Sequence, residues 1–190
     1  MRNDVVTVFG GSGFLGRYVV RRLANEGARV RVVCRYPHKA THLKPMGEVG
    51  QITLERGDVT KTDDLGTFIE GSRHVVNLIG ILFEKGDQRF DAIQAETPAR
   101  IAQAAAAAGV ERLVQLSAIG ADPESPAAYG RTKAAGETAV REAFPAATIL
   151  RPSVVFGPED DFFNRFGQMA QMSPFLPLID GGETRFQPVY

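Results

Sequence analysis

The sequence predicts an α/β protein whose helices cover both faces of a doubly wound parallel sheet. Two observations predict this class. Short β-branched runs alternate with stretches of helical periodicity through most of the 190 residues, and the connections between them are short. A glycine cluster also joins the first β-branched run to the first periodic stretch.

The composition is that of an ordinary folded chain. Apolar residues make up 44% and charged residues 23%, which excludes a disordered or fibrous protein. The 22 basic and 22 acidic residues balance, so the charge favours neither nucleic acid nor an anionic membrane as a partner. One cysteine cannot form an internal disulfide, and no apolar run is long enough to span a membrane. We therefore expect a cytoplasmic protein without a membrane-spanning segment.

Four strands are predicted in the first half of the chain, each a short β-branched run. They are Val5–Phe9, Val30–Cys34, Ile52–Glu55 and Val75–Ile79. A helix is predicted over Gly13–Glu26, with Gly27 as its stop. Another is predicted to run through Ile69 from Thr60 or Thr62, either of which would cap it. Prolines and glycines between the second and third strands leave room for only a short helix.

The second half continues the alternation. Helical composition extends over Phe90–Ala108, but Pro98 conflicts with one straight helix. Either Thr97 caps a helix that Pro98 starts, or the helix is kinked. The remaining predicted elements are the strand Leu113–Leu116, the helix Tyr129–Phe144 and the strand Thr148–Leu150.

The tail has a different character. Six of the twelve Phe follow residue 155, and five of the eleven Pro follow residue 151. We therefore expect one domain over 1–158 and the beginning of a smaller C-terminal substrate or docking lobe over 159–190, with Glu159–Asp161 as the polar start of a helix. The apolar residues of this tail are Phe162, Phe163, Phe166, Met169, Met172, Phe175, Leu176, Leu178 and Ile179. They are interpreted as core beneath a lobe or, alternatively, as a pocket or docking surface for a hydrophobic partner.

The glycine cluster predicts a dinucleotide site. Gly10, Gly13 and Gly16 are three residues apart between a strand and a helix. Gly10 permits the tight turn, Gly13 lets backbone N–H groups approach a pyrophosphate, and Gly16 lets the helix pack on the strand. The predicted cofactor turn also contains Ser12, Phe14 and Leu15, and Arg17 is a candidate for phosphate contact. The alternative is a glycine-rich turn without a ligand.

Three further segments extend the predicted cofactor site along the carboxyl edge of the sheet. Arg35 follows the second strand, where an NAD enzyme places an acid, so NADP(H) is favoured and NAD(H) is the alternative. Asp58 could accept from an adenine amino group while Val59 packs on the ring. Leu78, Ile79 and Gly80 end the fourth strand at the same edge. A solvated arginine and a helix-flanking aspartate are the alternatives for the two charged residues.

Tyr129 and Lys133 are the candidate catalytic pair. Their spacing of four residues places both side chains on one face of a helix. A nearby ammonium is expected to lower the pKa of the phenol, so that Tyr129 can exchange a proton with a carbonyl or alcohol. Lys133 could also bond the nicotinamide ribose, and Ser117, which follows the fifth strand, could orient a substrate oxygen. Such a pair alone also occurs on solvated helix faces.

Five motifs resemble those of extended short-chain dehydrogenases/reductases. They are GGSGFLG at Gly10–Gly16, GDV at Gly57–Val59, NLIG at Asn77–Gly80, YGRTK at Tyr129–Lys133 and LRPSVVFGP at Leu150–Pro158. Within that superfamily, the segments LSAIGADPESPAAYGRTKAAGE and MSPFLPLIDGGETRFQPVY are most similar to the NAD(P)-binding accessory subunits of respiratory complex I and their bacterial relatives.

The resemblance implies a Rossmann fold, a nicotinamide cofactor and Ser/Tyr/Lys hydride transfer. It also implies that Pro152, Ser153 and Val155 line the nicotinamide. Gln94 stands where many extended members carry an Asn, which puts their proton relay in doubt.

The complex I relatives imply a cofactor held structurally, with complex I subunits as partners at the inner face of the respiratory membrane. An active oxidoreductase, or an epimerase/dehydratase whose substrate could be hydrophobic, is the alternative. Extended relatives continue beyond residue 190, so we expect a longer protein. His38, His42 and His74 lack metal-ligand spacing, and no metal is expected.

Overall fold

Six parallel strands form one sheet in the computed structural model of the protein, which describes residues 2–173, 175, 181, 183 and 185–190. The strand order is β3-β2-β1-β4-β5-β6. The strands are β1 Val5–Phe9, β2 Arg29–Cys34, β3 Ile52–Arg56, β4 His74–Asn77, β5 Arg112–Leu116 and β6 Thr148–Leu150. This order reverses direction between β1 and β4, so the predicted doubly wound sheet is confirmed.

Helices and short turns cover both faces of the sheet. The α-helices are α1 Phe14–Asn25, α2 Gly66–Ile69, α3 Thr97–Ala107, α4 Ala128–Ala143 and α5 Phe163–Met172. Between β2 and β3 lie two 3₁₀ turns, Pro37–Lys39 and Thr41–Met46. One buried cluster contains Val8, Val20 and Leu43, whereas a second contains Ile101 and Val140. The two clusters are the apolar layers beneath the helices on either face.

The chain divides into two units, Met1–Arg151 and Pro152–Tyr190. The first unit contains the whole sheet and helices α1 to α4. The second unit contains α5 and a parallel bridge between Val155 and Val189. The predicted domain boundary after Pro158 stays a prediction.

The predicted helix from Thr60 or Thr62 is wrong in its first turns. Asp58 accepts hydrogen bonds from the backbone N–H of Thr60, at 3.1 Å, and from its hydroxyl, at 2.7 Å. This aspartate turn competes with helix formation, and α2 begins only at Gly66. The loop that carries Asp58 is therefore longer than the sequence pattern indicates.

The conflict at Pro98 is resolved by a π-helical turn over Asp91–Glu96, directly before α3. Pro98 has no N–H to donate to the carbonyl of Gln94, four residues earlier. That carbonyl abuts Gly136 of α4, where a Cβ would overlap it. The Thr97 hydroxyl donates to the carbonyl of Ala92, at 2.7 Å, and does not cap the helix.

The second unit is rich in aromatic contacts. The Phe162 ring makes edge contacts with Phe163, Phe166 and Phe186 at centroid distances of 5.1–5.5 Å. Asp160 accepts from the N–H of Phe163 at 2.6 Å, as expected for a polar helix start. No residue of α5 is buried. The tail residues Leu176, Leu178 and Ile179 lie outside the described residues.

None of the helices in the described part of the chain combines the length and apolarity needed to cross a membrane.

Candidate functional site

A cavity of about 490 Å³ opens at the carboxyl edge of the sheet, beside the point where β1 and β4 diverge. Ligands of open α/β sheets bind at such a point. Nine of the residues predicted to bind a cofactor line the cavity: Gly10, Ser12, Gly13, Arg35, Asp58, Val59, Leu78, Ile79 and Gly80. Phe14, Leu15, Gly16 and Arg17 form the first turn of α1 and are outside its lining.

The three glycines of the turn differ in whether the fold requires a residue without a side chain at their position. Gly10 has φ +77°, and a Cβ there would lie 3.1 Å from the backbone nitrogen of Ile79. A Cβ on Gly16 would overlap the backbone of Gly10 and Gly11, so helix and strand can meet only at a glycine. A Cβ on Gly13 would contact only the Gly10 carbonyl, at an ordinary van der Waals distance of 3.4 Å. The fold does not require Gly13, and its missing side chain leaves space at the cavity wall.

The turn after β4 is fixed by a buried amide pair. Asn77 is fully buried and donates to the side-chain oxygen of Gln115 on β5, at 2.8 Å. Its own oxygen accepts from the N–H of Ile79, at 3.1 Å. This pair aims the segment Leu78–Gly80 along the cavity.

Positive charge and an aromatic ring gather at the end of β2. Arg35 and Lys39 lie 6.0 and 5.1 Å from the centroid of the Tyr36 ring, which is 53% exposed. Arg35 lines the cavity and is exposed, so its guanidinium can reach an anion in the cleft. The sequence singled out Arg35 but gave no reason to choose Tyr36.

Arg100 forms hydrogen bonds that hold the loop containing Asp58 and Val59 in place. Its guanidinium donates to the carbonyls of Val59, at 2.8 Å, of Thr62, and of Asp63, at 3.1 Å. Asp58 keeps its carboxylate at the cavity wall while bonding Thr60. Sequence reasoning missed Arg100, although a lone arginine in the alanine-rich α3 was a signal.

The candidate catalytic pair lies on α4 as predicted. The Lys133 ammonium is 5.9 Å from the centroid of the Tyr129 ring, and Phe90 packs edge-on against that ring. A Cβ on Gly80 would lie 3.3 Å from the Lys133 nitrogen, so the ammonium reaches the end of β4. Lys133 is only 7% exposed.

The pKa directions differ from the sequence expectation. Burial lowers the pKa of Lys133 to about 8, against the opposing effect of the Glu137 carboxylate. Burial raises the pKa of Tyr129 above its usual value. In the free protein, burial therefore shifts the pKa of the Tyr129 phenol in the direction opposite to the one expected from a nearby ammonium, and the effect of Lys133 on that pKa stays a prediction.

Ser117 lies next to an ion pair, and its predicted role in orienting a substrate oxygen stays a prediction. It is buried beside Glu137, whose carboxylate is paired in a fork with Arg151 at 2.6–3.1 Å. Burial opposes the ionisation of Glu137, but Arg151 and Ser117 together hold the pKa of its carboxyl below the usual value. The Ser117 hydroxyl makes no hydrogen bond of regular geometry. Ser117 does not line the cavity, and the Glu137–Arg151 pair was missed by sequence reasoning.

Gln94 is 2% exposed and donates to the carbonyl of Ile81, at 3.1 Å. It therefore holds the start of the loop that follows β4. Among the described residues, no group of three or more His, Cys, Asp or Glu side chains could hold a metal ion. Pro152, Ser153 and Val155 belong to the second unit, and their cofactor role stays a prediction.

The fold and the glycine-lined cleft define a Rossmann-type nucleotide-binding class. Residues 6–176 match the NAD dependent epimerase/dehydratase family, and the chain belongs to that family. The solved Bordetella bronchiseptica enzyme WbmG, in complex with NAD, shares this fold with a TM-score of 0.71 at 20% identity. The likeness covers 90% of this chain and 60% of that one.

Curated relatives define the subgroup more narrowly. The chain is 40% identical to the mitochondrial NADH dehydrogenase (ubiquinone) 1 alpha subcomplex subunit 9 of Arabidopsis thaliana, over 98% of this chain and 47% of the relative. It is 33% identical to the ceramide reductase of Caulobacter vibrioides, over 92% of this chain and 54% of the relative. The predicted resemblance to complex I accessory subunits is confirmed. The chain spans about half the length of these relatives.

Proposed function

We propose that the chain binds NADP(H) in the cleft at the carboxyl edge of its sheet. The observation that carries this proposal is the cavity of about 490 Å³, walled by the glycine turn and open to Arg35. Gly13 supports it, because its missing side chain serves no packing need within the chain. The N–H groups that begin α1 would hold the pyrophosphate, and Arg17 is proposed as an additional phosphate contact.

The preference for NADP(H) over NAD(H) rests on the charges at the end of β2. A 2′-phosphate beside Arg35 would accept charge-assisted hydrogen bonds from the guanidinium. Lys39 lies near the same Tyr36 ring as Arg35 and adds a second positive charge there. Asp58 and Val59 would contact the adenine, in a loop that Arg100 fixes.

The nicotinamide end would lie toward α4 and Gly80. When bound, the cofactor supplies a hydride donor or acceptor. Lys133 would donate to the ribose, since its ammonium reaches the end of β4. Pro152, Ser153 and Val155 are proposed to line the ring, as the family resemblance implies.

Calorimetric titration with NADPH tests the proposal on the wild type and on Gly13→Ala. The variant is expected to fold normally, because its Cβ meets only an ordinary contact. It should bind NADPH about tenfold more weakly, since the added methyl holds the pyrophosphate away from its N–H donors. A wild type that does not saturate with NADPH, or a variant that binds equally well, would overturn the proposal.

A structural role for the nucleotide is proposed ahead of turnover. The Ser117 hydroxyl is buried and lies outside the cavity lining, and burial raises the pKa of Tyr129, so that its phenol keeps its proton in the free protein. The complex I relatives support association with that complex at the inner, cytoplasmic face of the respiratory membrane. Co-migration of the native protein with complex I, with bound nucleotide and without NADPH consumption, is expected. Consistent separation from the complex would contradict this role.

An active NADP-dependent oxidoreductase is the second candidate. The favouring observation is the position of Tyr129 and Lys133 on one helix face, 5.9 Å from ring to ammonium. The ceramide reductase relative suggests a carbonyl on a hydrophobic substrate. NADPH oxidation with long-chain ketones that Tyr129→Phe abolishes would establish this candidate. Equal background rates in wild type and variant would exclude it for those substrates.

A further inference from the structure

A small hairpin follows β4 and faces the end of β2 across the cleft. The backbones of Lys85 and Gln88 exchange two hydrogen bonds, at 3.2 and 3.1 Å. The Glu84 carboxylate accepts from the N–H of Phe90, at 2.9 Å, and pairs with Arg89, at 3.3 Å. Residues 84–90 are thus bonded internally and can shift as one piece.

Two contacts join this hairpin to the opposite wall of the cleft. The Asp87 carboxylate lies 3.5 Å from the Lys61 ammonium. The Gln88 side-chain amide faces the Arg35 guanidinium, and we assign its oxygen to that side, where it accepts from both terminal nitrogens of Arg35, at 3.0 Å for one of them. All four residues line the cavity. Asp87 and Lys61 are 90% and 67% exposed, so their pair is weak and the Gln88 contact is the stronger tie.

We propose that Gln88 is a specificity-determining residue that competes with a nucleotide 2′-phosphate for the guanidinium of Arg35. The inference rests on the proposed function, because it concerns the same cleft. With its oxygen toward Arg35, the Gln88 amide occupies one N–H donor of each terminal nitrogen, and this is the end of the guanidinium to which a phosphate binds in a fork. A phosphate bonds a guanidinium more strongly than a neutral amide does, so it displaces Gln88.

The competition gives the two nucleotides different effects on the hairpin. NADP(H) takes Arg35 from Gln88 and leaves the weak Asp87–Lys61 pair as the remaining one of these two contacts across the cleft. NAD(H) has a 2′-hydroxyl, which leaves the Gln88–Arg35 contact in place. Gln88 therefore reduces the preference for NADP(H) and connects the identity of the nucleotide to the position of the hairpin.

Three variants of the full chain distinguish competition between Gln88 and the 2′-phosphate for Arg35 from a general loosening of the hairpin. Gln88→Ala removes the competitor and should tighten NADPH about 3- to 10-fold, without tightening NADH. Gln88→Glu places a carboxylate against Arg35 and should weaken NADPH by at least a similar factor. Glu84→Ala is the matched control, because it removes the contacts with Phe90 and Arg89 inside the hairpin, lies outside the cavity lining and does not touch Arg35. It should leave the ratio of NADPH to NADH affinity within about twofold of the wild type.

Hydrogen exchange at the amides of Lys85, Gln88 and Phe90 measures how often the hydrogen bonds of the hairpin open. Without nucleotide, exchange there should be faster in Gln88→Ala than in the wild type. NADPH should accelerate exchange in the wild type, whereas NADH should not. Unchanged exchange in Gln88→Ala, or an unchanged affinity ratio, would overturn the role of Gln88 while NADPH binding itself persists. A wild type that binds neither nucleotide would instead overturn the proposed function and the specificity role together. The exchange rates without nucleotide would then still show whether the Gln88–Arg35 contact stabilises the hairpin.

Discussion

The two halves of the candidate site are built by different means. The nucleotide half, at the ends of β1, β2 and β3, is formed by backbone turns, glycines and exposed charges. The Tyr129–Lys133 half, on α4, contains the buried Lys133 and the buried Glu137, whose carboxylate is paired with Arg151. The nucleotide half therefore depends on backbone geometry, whereas the Tyr129–Lys133 half depends on the burial of its titratable groups.

The largest expected effect tests the backbone-built half. Gly16→Val places side-chain atoms on the backbone of Gly10 and Gly11, which cannot move without breaking the turn. We expect a loss of about 4 kcal/mol or more in the free energy of unfolding, measured by urea denaturation. Gly13→Ala, in the same turn, should lose less than about 1 kcal/mol. Equal losses in the two variants would show that the turn does not depend on helix–strand contact.

The next effect tests the charge-built half. The pKa of Lys133 is lowered to about 8 in the folded chain from a usual value of 10.5, so the unfolded chain binds more protons between these values. The wild type should therefore gain stability relative to Lys133→Met as the pH rises from about 8 to 10.5. The gain should be about 3 kcal/mol, from denaturation curves at each pH. A difference that does not change with pH would show that Lys133 is solvated.

A smaller effect is expected at the carboxylate beside Lys133. Glu137→Gln keeps the shape of the side chain but leaves the fork of Arg151 without its anion. The midpoint of thermal unfolding should fall by about 3–6 °C near neutral pH. The pKa of Lys133 should also fall further, because the carboxylate that favours its ammonium is gone. Methylation of Lys133 with NMR detection of its titration checks the second effect, and a rise in that pKa would contradict it.

The sequence predicted the sheet well because short β-branched runs are a local signal. Strands β1 and β6 were predicted at their observed bounds, and the others within two residues at either end. The helix start near Thr60 was wrong because Asp58, which is also local, bonds the N–H and the hydroxyl of Thr60 in a turn. Pro98 lies in the first turn of α3, as one alternative had it, but neither alternative included the π-helical turn, whose Gln94 carbonyl abuts Gly136 of a distant helix.

The sequence predicted those parts of the candidate site whose residues belong to short, local sequence motifs. Nine of the predicted cofactor residues line one cavity, since strand ends of a parallel sheet meet at one edge. The contacts of Arg100 with Val59, of Arg151 with Glu137 and of Gln88 with Arg35 join segments that are far apart in sequence. The pKa of Tyr129 depends on burial, which residue spacing does not report.

The central claim is that the cleft selects a 2′-phosphorylated nucleotide through Arg35, and paired titrations of NADPH and NADH test it most directly. The wild type should bind NADPH at least about tenfold more tightly than NADH, from one or two charge-assisted hydrogen bonds. In Arg35→Asp, the carboxylate should repel the 2′-phosphate and reverse the preference. A wild type that prefers NADH, or a preference that Arg35→Asp leaves unchanged, would contradict the account.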